Sequence, residues 1–169
     1  LNIGGCDWLV TLYCDGNKLQ ELDLSGRSAL QSLRCASEFL DTLIVNNCSS
    51  LYSLEFESIS GRVPGVLRAQ NCTNLYSFSC YGCSEEDKGI EELDLSGCTS
   101  ITHIDCEYNR LTSLRVTGCT ALQMIYCNGN DLEELDLADC PSVCYCQVDE
   151  GVTVLNAPEG LEVYYVSEE

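Results

Sequence analysis

Cysteine is the residue with the widest chemical range in this chain, because a thiol can bind a metal, form a disulfide or act as a nucleophile. The chain has 14 cysteines in 169 residues, and eleven of them fall into two columns that repeat about every 21 residues. A fixed period of this size is typical of a solenoid of stacked coils. One column reads Cys14, Cys35, Phe56, Cys80, Cys106, Cys127 and Val148, and the other reads Cys6, Arg27, Cys48, Cys72, Cys98, Cys119 and Cys140.

The regular spacing favours reduced thiols over disulfides. Side chains stacked in register point the same way, at about the 4.8 Å strand spacing, whereas the Cβ atoms of a disulfide prefer about 3.8 Å. We therefore expect both columns to be buried thiols that fill small apolar positions. A disulfide stays open as an alternative for Cys83, Cys144 or Cys146, which lie outside the columns.

A zinc site is the sharper alternative for Cys80 and Cys83, whose C-x-x-C spacing could supply two of the four ligands that a closed site needs. The second pair would have to be Cys144 and Cys146, about three coils away. Because Cys80 and Cys83 already occupy regular inward positions, we expect no metal and no cofactor.

The pattern also argues against catalysis. His103 and Cys106 are three residues apart on a predicted strand, so they face opposite sides and cannot form a nucleophile–base pair. An open sheet offers no deep pocket that would raise the pKa of a carboxyl group. We expect no catalytic residues and no enzyme activity.

Each coil carries two short strand-like runs, as the segment 122–137 shows with its alternation of apolar and polar residues. A single coil cannot bury its inward residues without its neighbours. The sequence therefore predicts about seven 21-residue coils of parallel strands with little helix. We expect the solenoid over 1–148, and over 149–169 an atypical capping segment of the same domain that adds one last strand.

The pattern L-x-x-L-x-C-x-x-N-x-L in residues 9–19, 101–111 and 122–132 resembles the leucine-rich repeat, with Cys where a third Leu is usual. The 21-residue length, the Cys column and the L-D-L-S-G-C-T phrase of 93–99 are similar to the cysteine-bearing branch of the bacterial internalin-type surface proteins. This resemblance implies a right-handed leucine-rich-repeat solenoid on a bacterial surface, with ligand contacts on the concave parallel sheet and no catalytic residues.

The asparagine position of the repeat reads Asn17, Glu38, Ile59, Cys83, Asn109, Asn130 and Gly151. Where Asn is present, its amide can bond the backbone of adjacent turns. We therefore expect the middle coils, which lack it, to be less regular.

Charge and hydropathy restrict the partners. The net charge of −19 repels a phosphate backbone, so we expect no nucleic-acid partner. No apolar run approaches the ~18 residues of a membrane span. The resemblance implies a secreted or cell-surface protein, and we expect a monomer. No signal peptide or anchor is visible in the chain, so we expect that any such segment was removed or lies upstream.

The outward residues of the first strand in each coil form the expected binding face, which is acidic and rich in tyrosine. A protein or a carbohydrate is the expected ligand, because aromatic side chains dominate interface energetics. The alternating acidic column on this face could instead relieve charge repulsion. The candidate ligand-binding residues are Tyr13, Arg34, Tyr81, His103, Asp105, Met124, Tyr126 and Tyr145.

Three further features have competing interpretations. Insertions in two adjacent coils place Arg62, Glu86 and Lys88 in neighbouring loops, which could bind a partner or could reflect tolerated variation. The small outward residues Ser32, Ser53, Ser77 and Ser79 favour a passive spacer in a larger surface protein. The E-L-D-L phrase of the second strand predicts a solvated acidic ladder rather than a calcium site, formed by Glu21, Asp23, Glu92, Asp94, Glu134 and Asp136.

Overall fold

A computed structural model describes residues 1, 3–35, 39–55, 63–80 and 89–167, with the side chain of Glu55 left aside. Within these ranges the chain forms fifteen strands and no helix. The strands are β1 (Thr11–Tyr13), β2 (Glu21–Asp23), β3 (Ser32–Arg34), β4 (Thr42–Ile44), β5 (Ser53–Glu55), β6 (Val66–Arg68), β7 (Ser77–Ser79), β8 (Glu92–Asp94), β9 (His103–Asp105), β10 (Ser113–Arg115), β11 (Met124–Tyr126), β12 (Glu134–Asp136), β13 (Tyr145–Asp149), β14 (Thr153–Leu155) and β15 (Glu162–Val166).

Odd-numbered and even-numbered strands line two different sides of the molecule. The odd strands pair in the order β1-β3 and β5-β7-β9-β11-β13-β15, and the even strands pair as β2-β4-β6-β8-β10 and β12-β14. Every pair is parallel, because each coil winds in the same direction and equivalent strands of neighbouring coils lie side by side. The chain is thus a parallel β-solenoid of about seven coils without helix in its described part, as the repeat predicts.

The core lies between the two sheets because the middle residue of each three-residue strand points inward. Ile104, Ile125 and Cys146 are aligned in neighbouring odd strands, and all three are fully buried. Leu67 and Leu93 are aligned in the same way in the even strands. The short apolar repeat therefore becomes one continuous core along the stack.

The turns after β2, β4, β6, β8 and β10 each hold one residue in the left-handed region. Gly97 and Gly118 occupy this position with φ of +77° and +75°. Coils without glycine there use asparagine, which tolerates this conformation better than other side chains. Asn47 and Asn71 have φ of 60° and 57°.

Thirteen cysteines lie in the described ranges, and all of them are reduced. The cysteines of the two predicted columns are buried with one exception, Cys6, which is exposed because no other coil packs on its outer side. Of the residues outside the columns, Cys146 is buried in β13 and Cys144 is exposed. Cys83 lies outside the described residues.

The second column does more than fill space, because its thiols bond to the neighbouring coil. Each Sγ–H donates to the carbonyl oxygen of the residue that follows the even strand of the preceding coil, at 3.1 to 3.3 Å. The pairs are Cys48 with Leu24, Cys72 with Val45, Cys98 with Ala69, Cys119 with Leu95 and Cys140 with Val116.

The asparagine position bonds adjacent coils, as the sequence predicts. The amide of Asn109 donates to the carbonyl of Cys80 at 2.8 Å, and its oxygen accepts from the backbone N–H of Ile90 at 3.0 Å. Asn130 likewise donates to the carbonyl of Cys106 at 3.0 Å. The positions that lack asparagine in the middle coils, Glu38, Ile59 and Cys83, lie outside the described residues.

The end of the chain adds two strands, so the prediction of one last strand is wrong. β14 pairs with β12 and β15 pairs with β13, both parallel and in register. The segment 149–167 therefore continues both sheets by one further row.

The E-L-D-L phrase does not form a uniform acidic ladder, which corrects the sequence-based expectation. Asp94 is aligned with Arg68 on one side and Arg115 on the other. It is also buried, with Gln70 Nε2 donating to its Oδ2 at 2.6 Å and the Ser96 N–H donating to its Oδ1 at 3.0 Å. The acidic rows alternate with rows that carry arginine or apolar residues, so opposite charges lie next to each other.

Candidate binding face

The outward side of the last four odd strands presents an aromatic and acidic surface, which we call the tyrosine face. It lies on strands that are paired on both sides, except for β15 at the edge. A rigid paired backbone presents its side chains without a large ordering cost. The tyrosine face consists of His103, Asp105, Glu107, Met124, Tyr126, Asn128, Tyr145, Gln147, Asp149, Glu162, Tyr164 and Val166.

Three tyrosines stack in a zigzag across the tyrosine face. The ring centroids of Tyr126 and Tyr145 are 5.1 Å apart at an interplanar angle of 38°. Those of Tyr145 and Tyr164 are 4.8 Å apart at 25°. Both distances lie in the range of favourable aromatic pairs. The rings therefore form one continuous aromatic platform that spans β11, β13 and β15.

Hydrogen bonds within the tyrosine face hold each ring in place. The Tyr145 hydroxyl donates to Gln147 Oε1 at 2.9 Å. The Tyr164 hydroxyl donates to the Glu162 carboxylate at 3.0 Å, and this bond raises the pKa of Tyr164. Because the rings stack on one another, Tyr164, which is 48% exposed on the edge strand, is the ring most open to an incoming group.

The carboxylates beside the platform are close together and poorly compensated. Asp105 Oδ1 is enclosed and has no hydrogen-bond partner within the described ranges. Burial raises the pKa of Glu107, and the negative charge of Asp105 raises it further. No Lys or Arg occurs on the tyrosine face.

A polar network connects the acidic edge to the platform. Gln147 Nε2 donates to Asn128 Oδ1 at 2.9 Å and lies 3.4 Å from Glu107 Oε1. Asp149 accepts the backbone N–H groups of Gly129 and Asn130 at 2.7 and 3.0 Å. Asn128 is only 2% exposed, so it is an internal part of this network, although the sequence places it among the outward residues.

The structure brings five of the candidate residues together and separates two others from them. His103, Asp105, Met124, Tyr126 and Tyr145 share the tyrosine face. Tyr13 and Arg34 lie at the opposite end of the stack, where Tyr13 is exposed and the Arg34 guanidinium contacts Asp15 at 2.6 Å. The remaining candidates, Tyr81, Arg62, Glu86 and Lys88, lie outside the described residues.

Sequence reasoning missed Tyr164 and Glu162 as members of the tyrosine face. Both belong to β15, whose sequence E-V-Y-Y-V lacks the Leu and Asn markers of the repeat. The alternation of Glu162, Tyr164 and Val166 in this strand was the signal that could have placed them beside Tyr145. The aromatic platform is therefore one ring longer than the repeat alone indicates.

The tyrosine face can bind through ring surfaces and carboxylates. In the described part of the chain, no group of three or more His, Cys, Asp or Glu side chains is arranged to hold a metal ion. The same part contains no helix of the length and apolarity that a membrane crossing requires.

Comparisons of the chain with protein-family models, with curated proteins and with solved structures found no match.

Proposed function

We propose that this chain is a non-catalytic recognition module of a secreted or cell-surface bacterial protein, and that it binds a protein or a glycan through the tyrosine face. The observation that carries the proposal is the stack of Tyr126, Tyr145 and Tyr164 on paired strands. Tyrosine is enriched at the centres of binding interfaces because it buries a large area with few rotatable bonds. The leucine-rich-repeat resemblance supports the same use of the odd-strand side.

The test is a binding screen of the purified domain against glycan arrays and extracellular proteins, followed by a comparison of variants. We expect the double variant Tyr126→Ala, Tyr145→Ala to bind an identified partner at least tenfold more weakly, since truncating a central aromatic residue costs about 2 kcal/mol. The matched control is Tyr52→Ala, Tyr76→Ala, which removes two exposed tyrosines away from the tyrosine face. Parent-like affinity of the first variant would contradict the proposal.

A passive spacer is the second candidate function, and the coils before β9 favour it. Their outward residues are small and polar at Ser32, Ser53, Ser77 and Ser79. A spacer requires length and stability but no anchor residues. If the screen finds no partner and the double variant Tyr126→Ala, Tyr145→Ala is as stable as the parent, the spacer is the better description.

A further inference from the structure

Resting on the proposed function, we infer that the partner of the tyrosine face is a basic polypeptide segment whose Lys or Arg side chains lie over the tyrosine rings and pair with the carboxylates beside them. The inference deepens the proposed function by choosing a cationic protein segment over a neutral glycan. Four observations on the face support this choice.

The first observation is the charge of the surface. Asp105, Glu107, Asp149 and Glu162 border the aromatic platform, and the tyrosine face itself supplies no Lys or Arg to balance them. This differs from the rest of the described chain, where arginines lie beside carboxylates in several coils. Arg68 is 3.3 Å from Glu92 and Arg110 is 3.4 Å from Glu91. Among the described residues, no Lys or Arg pairs with these four carboxylates, so the tyrosine face suits a cation supplied by a partner.

The second observation is the state of Asp105 and Glu107. Enclosing a carboxylate oxygen without a hydrogen-bond donor is destabilising, and Asp105 Oδ1 is in that situation within the described residues. Glu107 is adjacent, and the two negative charges disfavour each other. A guanidinium or ammonium group beside the half-buried Glu107 would supply donors to the Glu107 carboxylate and a positive charge close to both acids, although Asp105 Oδ1 itself is enclosed.

The third observation is the exposed end of the ring stack: Tyr145 is stacked against both Tyr126 and Tyr164, and Tyr164 on the edge strand β15 is 48% exposed. Each of the three tyrosine hydroxyls is near a polar partner on the same face: Gln147 Oε1 at 2.9 Å, the Glu162 carboxylate at 3.0 Å and Met124 Sδ at 3.9 Å. The face of an aromatic ring carries negative potential and attracts Lys and, more often, Arg. An aromatic platform between carboxylates therefore adds a second attraction for the same cation.

The fourth observation is the spacing of the negative groups. β9, with Asp105, and β15, with Glu162, are separated by three strand intervals, and Glu162 lies two residues earlier in register than Asp105, so the two positions are about 16 Å apart at ~4.8 Å per interval and ~3.3 Å per residue. Four residues of an extended chain span a similar ~14 Å. An extended segment with basic residues at positions i and i+4 would thus reach both carboxylate groups while it crosses the platform.

The experiment measures fluorescence anisotropy of a labelled peptide that carries two arginines separated by three Gly or Ser residues. The comparison probes are the same peptide with glutamine or with glutamate in place of arginine, and a neutral labelled oligosaccharide. We expect the arginine peptide to bind at least tenfold more tightly than the glutamine peptide at about 20 mM salt, and to weaken at about 300 mM salt because screening increases.

Two sets of variants locate the contact. Asp105→Asn, Glu107→Gln removes two charges from the tyrosine face with little change in shape, and Tyr145→Leu removes a ring but keeps apolar bulk. We expect each to weaken binding of the arginine peptide at least fivefold. The matched control Glu133→Gln, Glu134→Gln removes the same charge from the even-strand side, where both residues are exposed, and should change binding less than twofold.

The outcomes separate this inference from the proposed function. Equal effects of the two double variants would show attraction to the net charge alone, and would overturn the inference. Binding of the oligosaccharide at Tyr145 without binding of the arginine peptide would also overturn it, but would support the proposed function. Circular dichroism of each variant checks the fold, and Asp105→Asn should unfold at a higher temperature than the parent because it removes the unpartnered charge.

Discussion

Cysteine has two roles in this chain, as a small apolar core residue and as a hydrogen-bond donor between coils. Burial disfavours the charged thiolate. It raises the pKa of Cys35, Cys48 and Cys119 to about 12 and that of Cys140 to about 11, from an ordinary value of 9.0. These thiols therefore remain protonated donors at neutral pH, and they are poor nucleophiles.

The raised pKa values predict a loss of stability in alkaline solution. Above about pH 9 the unfolded chain releases these protons while the folded chain keeps them, so the free energy of unfolding falls as the pH rises towards 12. The slope is about 1.4 kcal/mol per pH unit for each such thiol. Urea denaturation at pH 8, 9 and 10 with a phosphine reductant measures it.

A variant separates the thiols from other groups that titrate in the same range. Cys119→Ala removes one buried thiol, so its unfolding free energy should decline less steeply with pH than that of the parent. Identical slopes for the two proteins would show that tyrosine or lysine titration causes the decline.

At pH 8, thiol reagents should modify the exposed Cys6 and Cys144 well before the buried cysteines of the two columns.

At the residue scale, the sequence predicts burial of the thiols but not their bonds. Burial follows from the spacing alone, since residues 21 apart occupy equivalent positions. The acceptor of Cys98 is the carbonyl of Ala69, 29 residues earlier and in another coil, and only the stacked structure brings the two together. The enclosure of Asp105 and Asn128 depends on neighbouring coils in the same way.

At the scale of the element, the turn after each even strand fixes how tightly the coils stack. A Cβ added at Gly26 would meet nothing within 4 Å, whereas one added in the turns after β8 or β10 would meet the turn of the preceding coil. A Cβ at Gly97 would overlap Asn71 Oδ1, whereas a Cβ at Gly118 would have Gly97 N as its nearest neighbour, at 3.6 Å. A side chain therefore has less room at Gly97 than at Gly118, although the two glycines occupy the same turn position in adjacent coils.

This difference predicts unequal effects of two identical substitutions. Gly118→Ala should destabilise the chain by roughly 1–2 kcal/mol, the usual penalty for a left-handed non-glycine residue. Gly97→Ala should destabilise it more, because the added methyl group also displaces the Asn71 side chain. Urea denaturation of both variants and the parent measures the difference.

The double variant Gly97→Ala, Asn71→Ala tests the steric explanation. Removing the Asn71 amide leaves room for the new methyl group, so the two changes together should destabilise less than the sum of the single changes. Strict additivity would mean that the contact with Asn71 contributes nothing to the effect of Gly97→Ala.

The elements themselves were predicted well where the repeat is regular and poorly where it ends. The phrase L-D-L-S-G-C in residues 93–98 contains the alternation of a strand and the glycine of a turn, and β8 lies there. β14 and β15 have neither the Leu spacing nor the Asn, so only one strand was expected in their place. Pairing with β12 and β13 decides their structure, and that information is not local in sequence.

At the scale of the whole molecule, negative charge is in large excess. The chain has 27 Asp and Glu against 8 Lys and Arg, which gives a net charge of −19. In the described part of the chain, five arginines lie within 4.0 Å of a carboxylate, at distances from 2.6 to 4.0 Å. Exposed pairs of this kind contribute little to stability, so the remaining repulsion opposes the compact state.

Salt should therefore stabilise the folded chain. Raising the NaCl concentration from about 20 mM to about 200 mM shortens the screening length from roughly 20 Å to roughly 7 Å. We expect Tm to rise by about 2–4 °C, the shift that ~1 kcal/mol produces in a chain of this size. Differential scanning calorimetry measures the change.

Choline chloride distinguishes screening from binding of a sodium ion. Both salts should give the same rise in Tm if screening is the cause, because the ionic strengths are equal. A fall in Tm with either salt would show that the attraction within the arginine–carboxylate pairs outweighs the repulsion of the excess carboxylates.

The thiol bond between coils has a consequence for how such an array can change its length. Donor and acceptor always belong to consecutive copies of the unit, as in Cys140 with Val116 and Cys119 with Leu95. If one whole unit is duplicated or deleted in frame, the copies on either side of the junction still present the matching partners. The array can thus lengthen by duplication of a unit or shorten by deletion of one, and the tyrosine face stays unchanged when that unit lies outside β9–β15.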